Sequence, residues 1–259
     1  MEPTFVDTLV PWYTLGAKTL IGLSFVFFTV LLLIDAPYGR HMRPGWGPTL
    51  DARVGWIVME LVSPIAMTIV YVQGPHAGEP IALFFFAIFQ IHYANRAIVQ
   101  PMLARGGAGR RTTYFTVGCA VIFNSLNGTL LGLALGHVHT YDAAWLTDPR
   151  FVLGIGLFVF GAAVNVHADS VLRTLRRPGE SGYRIPHGGL YNAVSCPNYL
   201  GEIIEWVGFA IATWSLAGLA FAMFTFANLA PRARANHRWY REHFDDYPPR
   251  RRALLPRLY

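Results

Sequence analysis

The residues that could carry chemistry are concentrated between Asn165 and Trp206, and apolar segments flank this stretch on both sides. It holds a polar cluster, an arginine run, a glycine-rich turn and a helix that opens with two glutamates: Asn165, His167, Asp169, Arg173, Arg176, Arg177, Arg184, Gly188, Gly189, Glu202 and Glu205. Arginine binds phosphate through its planar fork of N–H donors. A helix start near Asn198 adds a second anion-binding feature. The stretch is therefore predicted to bind an anionic cofactor at a membrane face.

Simpler interpretations exist for parts of this stretch. Asn165 and Asp169 share a helix face, but Asp169 also precedes Arg173 by four residues, as in an ordinary surface ion pair. The arginines could equally bind anionic lipid headgroups. Glu202 and Glu205 would be favoured in the first turns of a helix by its dipole alone. The residues by themselves leave these interpretations open.

A second candidate group lies inside earlier apolar runs, with Glu60 in MELVSP and His92, Tyr93 and Arg96 in IHYANRAIV. A carboxyl group there is costly and is expected to face the bundle interior or a cavity, where burial favours its protonated, hydrogen-bond-donating form. Tyr93 can donate from its phenol, and His92 and Arg96 share a helix face. The alternatives are a polar clasp between helices for Glu60, and for Tyr93 and Arg96 positions that reach the membrane surface.

The elements that position these groups are predicted to be membrane-spanning helices. Of the 259 residues, 53% are hydrophobic and 14% are charged, whereas a soluble domain carries about 25% charged residues. Apolar runs of about 20 residues recur, and each can cross a bilayer as a helix. We therefore predict an all-α, polytopic integral membrane protein with a single domain, residues 1–259. The seven predicted spans are 12–34, 54–73, 80–102, 114–136, 151–172, 199–213 and 215–231.

The distribution of basic residues orients these spans. All of the 21 Lys and Arg residues except Lys18, Arg96 and Arg150 lie in the loops after spans 1, 3 and 5 or in the C-terminal tail. The positive-inside rule then places the N-terminus outside and the C-terminus in the cytosol. Six spans with one long kinked helix are the alternative, but they would place the basic tail outside. Because topology accounts for the net charge of +6, no nucleic-acid partner is predicted.

Several polar or small residues in the spans are assigned to helix packing. Gly128, Gly132 and Gly136 form a small-residue face on span 4, which is typical of close contact between helices. Asn124 and Asn127 on the same span are interpreted as hydrogen bonds to a neighbouring helix. These five residues are therefore predicted to be structural.

Familiar soluble cofactor motifs are missing from the chain. Cys119 lies in a span and Cys196 in a basic loop, so neither a disulfide nor a metal site is predicted. A Rossmann fingerprint after a strand is absent, so any cofactor must bind to a helical membrane scaffold. The tail motif NHRWYREHFDDYP, which contains Tyr240, either lies on the membrane surface or closes the cofactor site.

With these residues placed, the chain resembles the steroid 5-alpha-reductase family (3-oxo-5-alpha-steroid 4-dehydrogenases) over most of its length. The matching motifs are NVHADSVLRTLRRPGESGYRIPHGGLY, NYLGEIIEWVGFAIATWSLAGLAFAMFTFANL and HRWYREHFDDYPPRRRALLP, with HYANR in span 3 and MELVSP in span 2. Met59 stands where the family usually has glutamine, and Asn236 where a histidine is common. The pattern around Asn198 is also similar to sterol reductases and isoprenylcysteine methyltransferases, but only the first family fits the whole set.

The resemblance implies seven helices around one NADPH and one steroid, with residues 1–110 forming the substrate pocket and residues 111–259 most of the cofactor site. Family positions associated with the cofactor match Asn165, Asp169, Arg173, Arg176, Tyr183, Arg184, Asn198, Glu202 and Tyr240. Glu60 and Tyr93 match the pair that contacts the 3-keto oxygen and are the expected catalytic residues, and Arg96 is expected in the same pocket. The implied reaction adds a hydride to C5 and a proton to C4 of a 3-oxo-4-ene steroid.

The expected partners are membrane lipids and an apolar steroid that enters from the bilayer, and the chain is expected to act as a monomer. Its arginine-rich, lysine-poor composition favours a bacterial source and hence the inner membrane, whereas a eukaryotic member is expected in the endoplasmic reticulum. Another membrane sterol or enoyl-lipid reductase, or a methyltransferase, is the alternative within enzymes. A transporter or lipid-binding membrane protein is the alternative of another class, but its polar residues would line a path through the bilayer instead of gathering toward one face.

Overall fold

The computed structural model of the chain describes residues 5–104, 109–175 and 182–256. Within these ranges the chain is mostly helical. The long helices are α1 Phe5–Leu33, α2 Ala52–Tyr71, α3 Pro80–Leu103, α4 Tyr114–Val138, α5 Pro149–Thr174, α6 Pro197–Thr213 and α7 Leu216–His243. Two short antiparallel strands, β1 Thr49–Asp51 and β2 Arg111–Thr113, join the loops after α1 and α3.

Local sequence sets where these helices begin. Three of them have a proline at the first helical position, where a missing N–H is tolerated: Pro80, Pro149 and Pro197. Asp51 and Ser215 cap α2 and α7, because their side-chain oxygens accept hydrogen bonds from N–H groups of the first turn. Helices α3 and α4 each contain a π-turn, at Asn95–Val99 and Ala134–Val138. The first of these turns falls on the HYANR motif, and such turns are frequent at functional sites.

Six helices in the described part of the chain are long and apolar enough to cross a membrane: α1, α2, α3, α4, α5 and α7. Helix α6, with 17 residues, is slightly shorter. The predicted mostly helical fold is confirmed, and the seven-span count and the orientation stay predictions. The largest boundary differences are at α1, which begins at Phe5 instead of residue 12, and at α7, which continues to His243 instead of residue 231. The last turns of α7 are polar but pack against loops, as buried Tyr240 shows.

The helices run between two ends of one bundle. At one end, Arg40 of the loop after α1 stacks on Tyr183 of the loop after α5 and on Tyr240 of α7. The loop after α3 joins the same end through the pairing of β2 with β1. This end carries the arginine-bearing loops and is named the basic end. At the other end, the Tyr141 hydroxyl donates to the Thr213 carbonyl at 2.7 Å. Helix α6 starts at the basic end and stops at the other end, and α7 returns to the basic end.

Helices α5 and α6 pack most closely, through glycines on both: Gly154, Gly161, Gly201 and Gly208. A Cβ atom at Gly161 would lie 2.3 Å from the backbone nitrogen of Glu205, and one at Gly201 would lie 2.5 Å from that of Asn165. Only glycine permits backbones to approach this closely. The glycine contacts therefore hold the polar residues of α5 and α6 in one register.

Gly161→Ala is expected to destabilise the protein, because its methyl group would overlap backbone atoms of α6. Overpacking of this kind costs about 1–3 kcal/mol, so the apparent Tm in detergent should fall by several degrees. Gly156→Ala on the same helix is the matched control, since a Cβ there meets nothing within 4 Å. Equal Tm values for the two variants would contradict the close contact.

The predicted small-residue face of α4 packs against α2. A Cβ atom at Gly128 would lie 2.3 Å from the carbonyl oxygen of Ser63. Asn124 donates to the carbonyl oxygen of Met59 at 2.7 Å, and Asn127 donates to the Ser63 hydroxyl at 3.4 Å. The assignment of these residues to packing within the chain is confirmed. These contacts also fix the position of the α2 turn that carries Glu60, the residue after Met59.

The C-terminal segment, residues 247–254, folds back beneath the loop that precedes α6. The Ser195 backbone nitrogen donates to the Arg252 carbonyl at 2.7 Å. Buried Arg251 donates from Nη1 to the Pro186 carbonyl at 3.1 Å. The segment therefore fastens the loop from which α6 starts.

Candidate active site

Two adjoining cavities extend from the basic end toward the middle of the bundle. The first, of about 450 Å³, is lined mainly by polar and charged side chains, and the second, of about 390 Å³, mainly by apolar ones. They are named the polar cavity and the apolar cavity. Their shared wall consists of Ala36, Tyr38, Trp56, Arg96, Glu202 and Arg232. Ligands bound in the two cavities would therefore meet across this wall.

The polar cavity collects most of the residues predicted to bind a cofactor. It is lined by Asp169, Arg173, Tyr183, Arg184, Asn198, Glu202 and Tyr240. These residues come from α5, the loop after it, α6 and α7. Asn198 donates to the Asp169 carboxylate at 3.1 Å, which ties α6 to α5 at the cavity wall. An isolated surface ion pair between Asp169 and Arg173 does not account for this convergence. The tail motif contributes Tyr240 to the cavity wall and so closes the cavity.

One predicted cofactor residue, Asn165, is placed differently. Asn165 is buried and is not part of the cavity lining. Its amide donates to the backbone carbonyl of Asn198 at 3.0 Å. Asn165 therefore contacts the start of α6 and affects the cavity only through it. Arg176 lies outside the described residues.

Arg40, which the sequence assigns only to membrane topology, also lines the polar cavity. Its guanidinium carbon lies 4.9, 4.7 and 4.5 Å from the ring centroids of Tyr183, Trp239 and Tyr240. Burial opposes its charge, but the Tyr240 phenol raises the pKa of Arg40 above its ordinary value, so the guanidinium stays charged. Its Nη1 is buried with no hydrogen-bond partner in the described ranges. The sequence signal for this role of Arg40 was the aromatic pair Trp239 and Tyr240 in the tail motif, on which its guanidinium stacks.

Arg232 of α7 lies in the wall between the cavities and was likewise not predicted. Its guanidinium carbon is 4.3 Å from the Tyr38 ring and 5.3 Å from the Tyr199 ring. It donates to the Asn228 side-chain oxygen at 3.2 Å and to the Tyr199 hydroxyl at 3.3 Å. Among residues 5–104, 109–175 and 182–256, no carboxylate neutralises it. A half-buried cation without a carboxylate is still partly removed from water, so this position favours an anionic ligand.

His41 and Asn236 line the same cavity and contact each other, with 3.1 Å between the His41 Nε2 and the Asn236 side-chain oxygen. Burial lowers the pKa of His41, and the hydrogen bond to Asn236 opposes this effect only in part. His41 is therefore neutral at pH 7. The pair contributes hydrogen-bonding groups to the cavity instead of a further positive charge.

The apolar cavity contains the predicted catalytic pair, since Glu60 and Tyr93 both line it. Most of its remaining wall is aromatic and aliphatic. The rings of Phe123 and Phe224 stack there with centroids 4.0 Å apart, and Phe27 stacks on Phe224 at 5.0 Å. An acid and a phenol are thus exposed to a cavity that otherwise suits a hydrocarbon ligand.

Arg96 connects the two cavities. Its Nε lies 3.4 Å from the Glu60 carboxylate, and its Nη2 lies 3.3 Å from the Glu202 carboxylate. The Trp56 ring covers the guanidinium at 4.9 Å. Arg96 thus lines both cavities, and the alternative in which it reaches the membrane surface is inconsistent with this position. The interpretation of Glu202 as a purely dipole-stabilised residue is also insufficient.

The polar cavity has the donor set that a dinucleotide with phosphate groups requires. Six arginines line it: Arg40, Arg96, Arg110, Arg173, Arg184 and Arg232. The buried Arg40 Nη1 lacks a partner in the described chain, as expected for a donor that binds a ligand. Planar fork donors suit phosphate oxygens, and tyrosine rings supply flat surfaces for heterocycles. NADPH fits this set of residues.

Comparison with known proteins agrees with the resemblance. A sequence profile of the 3-oxo-5-alpha-steroid 4-dehydrogenase family matches residues 110–259. The 3-oxo-5-alpha-steroid 4-dehydrogenase 1 of Bos taurus is 42% identical over 244 residues, which cover 92% of this chain and 93% of the relative. The steroid 5-alpha-reductase DET2 of Gossypium hirsutum is 42% identical over 264 residues, covering 100% and 98%. The 3-oxo-5-alpha-steroid 4-dehydrogenase 2 of Homo sapiens is 40% identical over 255 residues, covering 94% and 95%. Similarity of this extent shows that the chain belongs to the steroid 5-alpha-reductase family of oxidoreductases.

Proposed function

We propose that this chain reduces the 4,5 double bond of 3-oxo-4-ene steroids with NADPH and forms 5-alpha-dihydro steroids. The observation that carries the proposal is the shared wall at Arg96, where an arginine-lined polar cavity meets an apolar cavity that exposes Glu60 and Tyr93. The names of the relatives supply the steroid and the 5-alpha configuration. The geometry supplies adjacent places for a charged cofactor and an apolar substrate.

In this proposal the polar cavity binds NADPH. Arg40, Arg173 and Arg184 would bind its phosphate groups. The N-terminus of α6 at Asn198 would add backbone N–H donors and the partial positive charge of the helix dipole. Asp169, held by Asn198, accepts hydrogen bonds from the neutral part of the ligand. When bound, NADPH supplies the hydride.

The apolar cavity binds the steroid with its 3-keto oxygen toward Glu60 and Tyr93. As C5 gains a hydride, negative charge moves to that oxygen and an enolate forms. Donors placed at the oxygen stabilise the developing charge, and they do so more strongly in an apolar cavity than in water. Arg96, 3.4 Å from Glu60, adds a positive charge behind the donors.

The same cluster accounts for the proton. One guanidinium, Arg96, faces the two carboxyl groups of Glu60 and Glu202, so the three groups are neutral together only when they hold one extra proton. We place this proton on Glu60, which can then donate to the keto oxygen. When the enol returns to the ketone, its oxygen gives the proton back to Glu60 and C4 takes up a proton from water. Each turnover therefore consumes one hydride and one proton and reduces one carbon–carbon double bond to a single bond.

The proposal includes a membrane arrangement with seven spans, the N-terminus outside and the basic end in the cytosol, where NADPH is available. The apolar cavity is lined by Val30 of α1 and Phe115 of α4, whose side chains are 44% and 54% exposed. A steroid dissolved in the bilayer can enter beside them. The proposal assigns both cavities to a single chain that acts as a monomer.

Product identification tests the proposal. The purified protein in lipid nanodiscs is incubated with NADPH and progesterone, and the products are compared with 5α and 5β standards by chromatography and mass spectrometry. We expect the 5α-dihydro product, with one NADPH oxidised for each steroid reduced. Unchanged progesterone despite NADPH binding would overturn the steroid assignment and favour another sterol or an enoyl lipid. Absence of NADPH binding would overturn the cofactor assignment, and tracer flux in proteoliposomes would then test a transporter.

A further inference from the structure

A buried acid–base pair lies in the helical core outside both cavities. His92 of α3 and Glu205 of α6 meet with 2.7 Å between Nδ1 and Oε1, and their side chains are 9% and 1% exposed. The second carboxylate oxygen of Glu205 is buried with no hydrogen-bond partner in the described chain. Neither residue lines either cavity. The proposed reaction therefore gives them no direct role, although burying such a pair is costly.

The pair is one of two successive polar contacts between α3 and α6. Arg96 lies one turn after His92 on α3, and Glu202 lies one turn before Glu205 on α6, and these two residues pair at 3.3 Å. The π-turn Asn95–Val99 lies at the second contact. Because a π-turn changes the rotation of a helix, the contact of His92 just before this turn helps to define where Arg96, within the turn, points.

The surroundings prevent the pair from separating without moving the site. The Trp206 ring lies edge-on to the His92 ring at 4.6 Å, and the Tyr93 ring lies 5.3 Å from it. Behind Glu205, the α5 backbone at Gly161 is so close that a Cβ would lie 2.3 Å from the Glu205 nitrogen. A change at either member of the pair is therefore transmitted to the helix turn that carries Tyr93.

We propose that His92 and Glu205 are positioning residues: their contact holds Arg96 between the Glu60 and Glu202 carboxylates and directs Tyr93 into the apolar cavity. They touch neither cofactor nor steroid. The catalytic consequence rests on the proposed function, whereas the structural part does not. If the role is positioning, an uncharged side chain that keeps the hydrogen bond should preserve the function of Glu205, and an apolar side chain should abolish it.

Steady-state kinetics test the catalytic part with Glu205→Gln, Glu205→Leu and His92→Leu, well below the Tm of each variant. Misplacement by about 1 Å can cost about 100-fold, so we expect kcat for progesterone to fall at least about tenfold in both leucine variants, with KM nearly unchanged. Glu205→Gln should keep kcat near that of the wild type. Loss of activity in Glu205→Gln equal to that in Glu205→Leu would overturn positioning in favour of proton transfer. A lowered Tm with unchanged kcat in the leucine variants would leave only a structural role and overturn the proposal.

Hydrogen–deuterium exchange without ligands tests the structural part independently of any reaction. Amides of residues 95–99 should exchange faster in His92→Leu than in the wild type, and at the wild-type rate in Glu205→Gln. Phe209→Leu, a fully buried residue of the same core, controls for general loosening. Equal acceleration in His92→Leu and Phe209→Leu would overturn the proposal. If wild-type protein fails to reduce progesterone while the exchange pattern holds, the proposed function fails and the positioning contact stands.

Discussion

Tyr93→Phe is expected to lower kcat for progesterone reduction by about 10²–10³-fold, the effect of removing one donor to a developing oxyanion. The phenylalanine ring keeps the contacts with Phe89 and Trp206, whose centroids lie 4.6 and 6.3 Å away, so the core is preserved. NADPH affinity should be unchanged, because Tyr93 does not line the polar cavity. Single-turnover oxidation of NADPH measures the chemical step, and titration of tryptophan fluorescence measures cofactor binding.

Tyr71→Phe is the matched control for deletion of a buried phenol. Its hydroxyl donates to the Ala77 carbonyl at 2.7 Å, far from both cavities, so the variant should keep its kcat. Wild-type kcat in Tyr93→Phe would show that this phenol does not stabilise the enolate. Glu60→Gln completes the test, because glutamine keeps a donor but cannot release a proton. We expect its turnover to be lost as well, and full activity would contradict the placement of the proton on Glu60.

Arg40→Ala is expected to raise the Kd of NADPH by about 10–100-fold, the range for loss of one charge-assisted hydrogen bond. The buried Nη1 of Arg40 has no hydrogen-bond partner in the described protein, so it is free to donate a hydrogen bond to a phosphate oxygen. Arg40→Lys should fall between alanine and the wild type, because lysine keeps the charge but not the planar stacking on three rings. Isothermal titration calorimetry measures these Kd values, and kcat at saturating NADPH should change little.

Arg53→Ala controls for the general effect of removing one positive charge at the basic end. Arg53 is exposed in the first turn of α2 and lines neither cavity. We expect its Kd for NADPH to stay close to that of the wild type at physiological salt, where exposed charges are screened. An equal rise in Kd for Arg40→Ala and Arg53→Ala would mean that only long-range charge is involved.

Polar residues that interrupt apolar runs were the most informative part of the sequence. Glu60, Tyr93 and Arg96 were candidates because they interrupt apolar runs, the family resemblance assigned them to one pocket, and the structure places all three at the apolar cavity. Inside a membrane helix an ionisable residue needs a polar partner or a cavity, so its presence alone predicts its surroundings. Arg40 was missed because a basic loop residue is also a topology signal and because its partner Tyr240 lies 200 positions away.

The helices themselves were predictable from hydropathy, but some of their ends were not. The last turns of α7 have few apolar residues and pack against a loop from a distant part of the chain, as the stacking of Arg40 on Tyr240 shows. Strands β1 and β2 have three residues each, too few for a periodic pattern. Glu205 was interpreted through the helix dipole, since its partner His92 is 113 positions away and no local spacing connects them.

The C-terminal segment also orders events during biosynthesis. Ser195 and Pro186 obtain their partners, Arg252 and Arg251, only after every helix has been translated. A nascent chain that already contains all its helices therefore still has an unfastened loop before α6. During translation this loop can therefore be fastened only after helix α7 has been made, because Arg251 and Arg252 follow that helix in the chain.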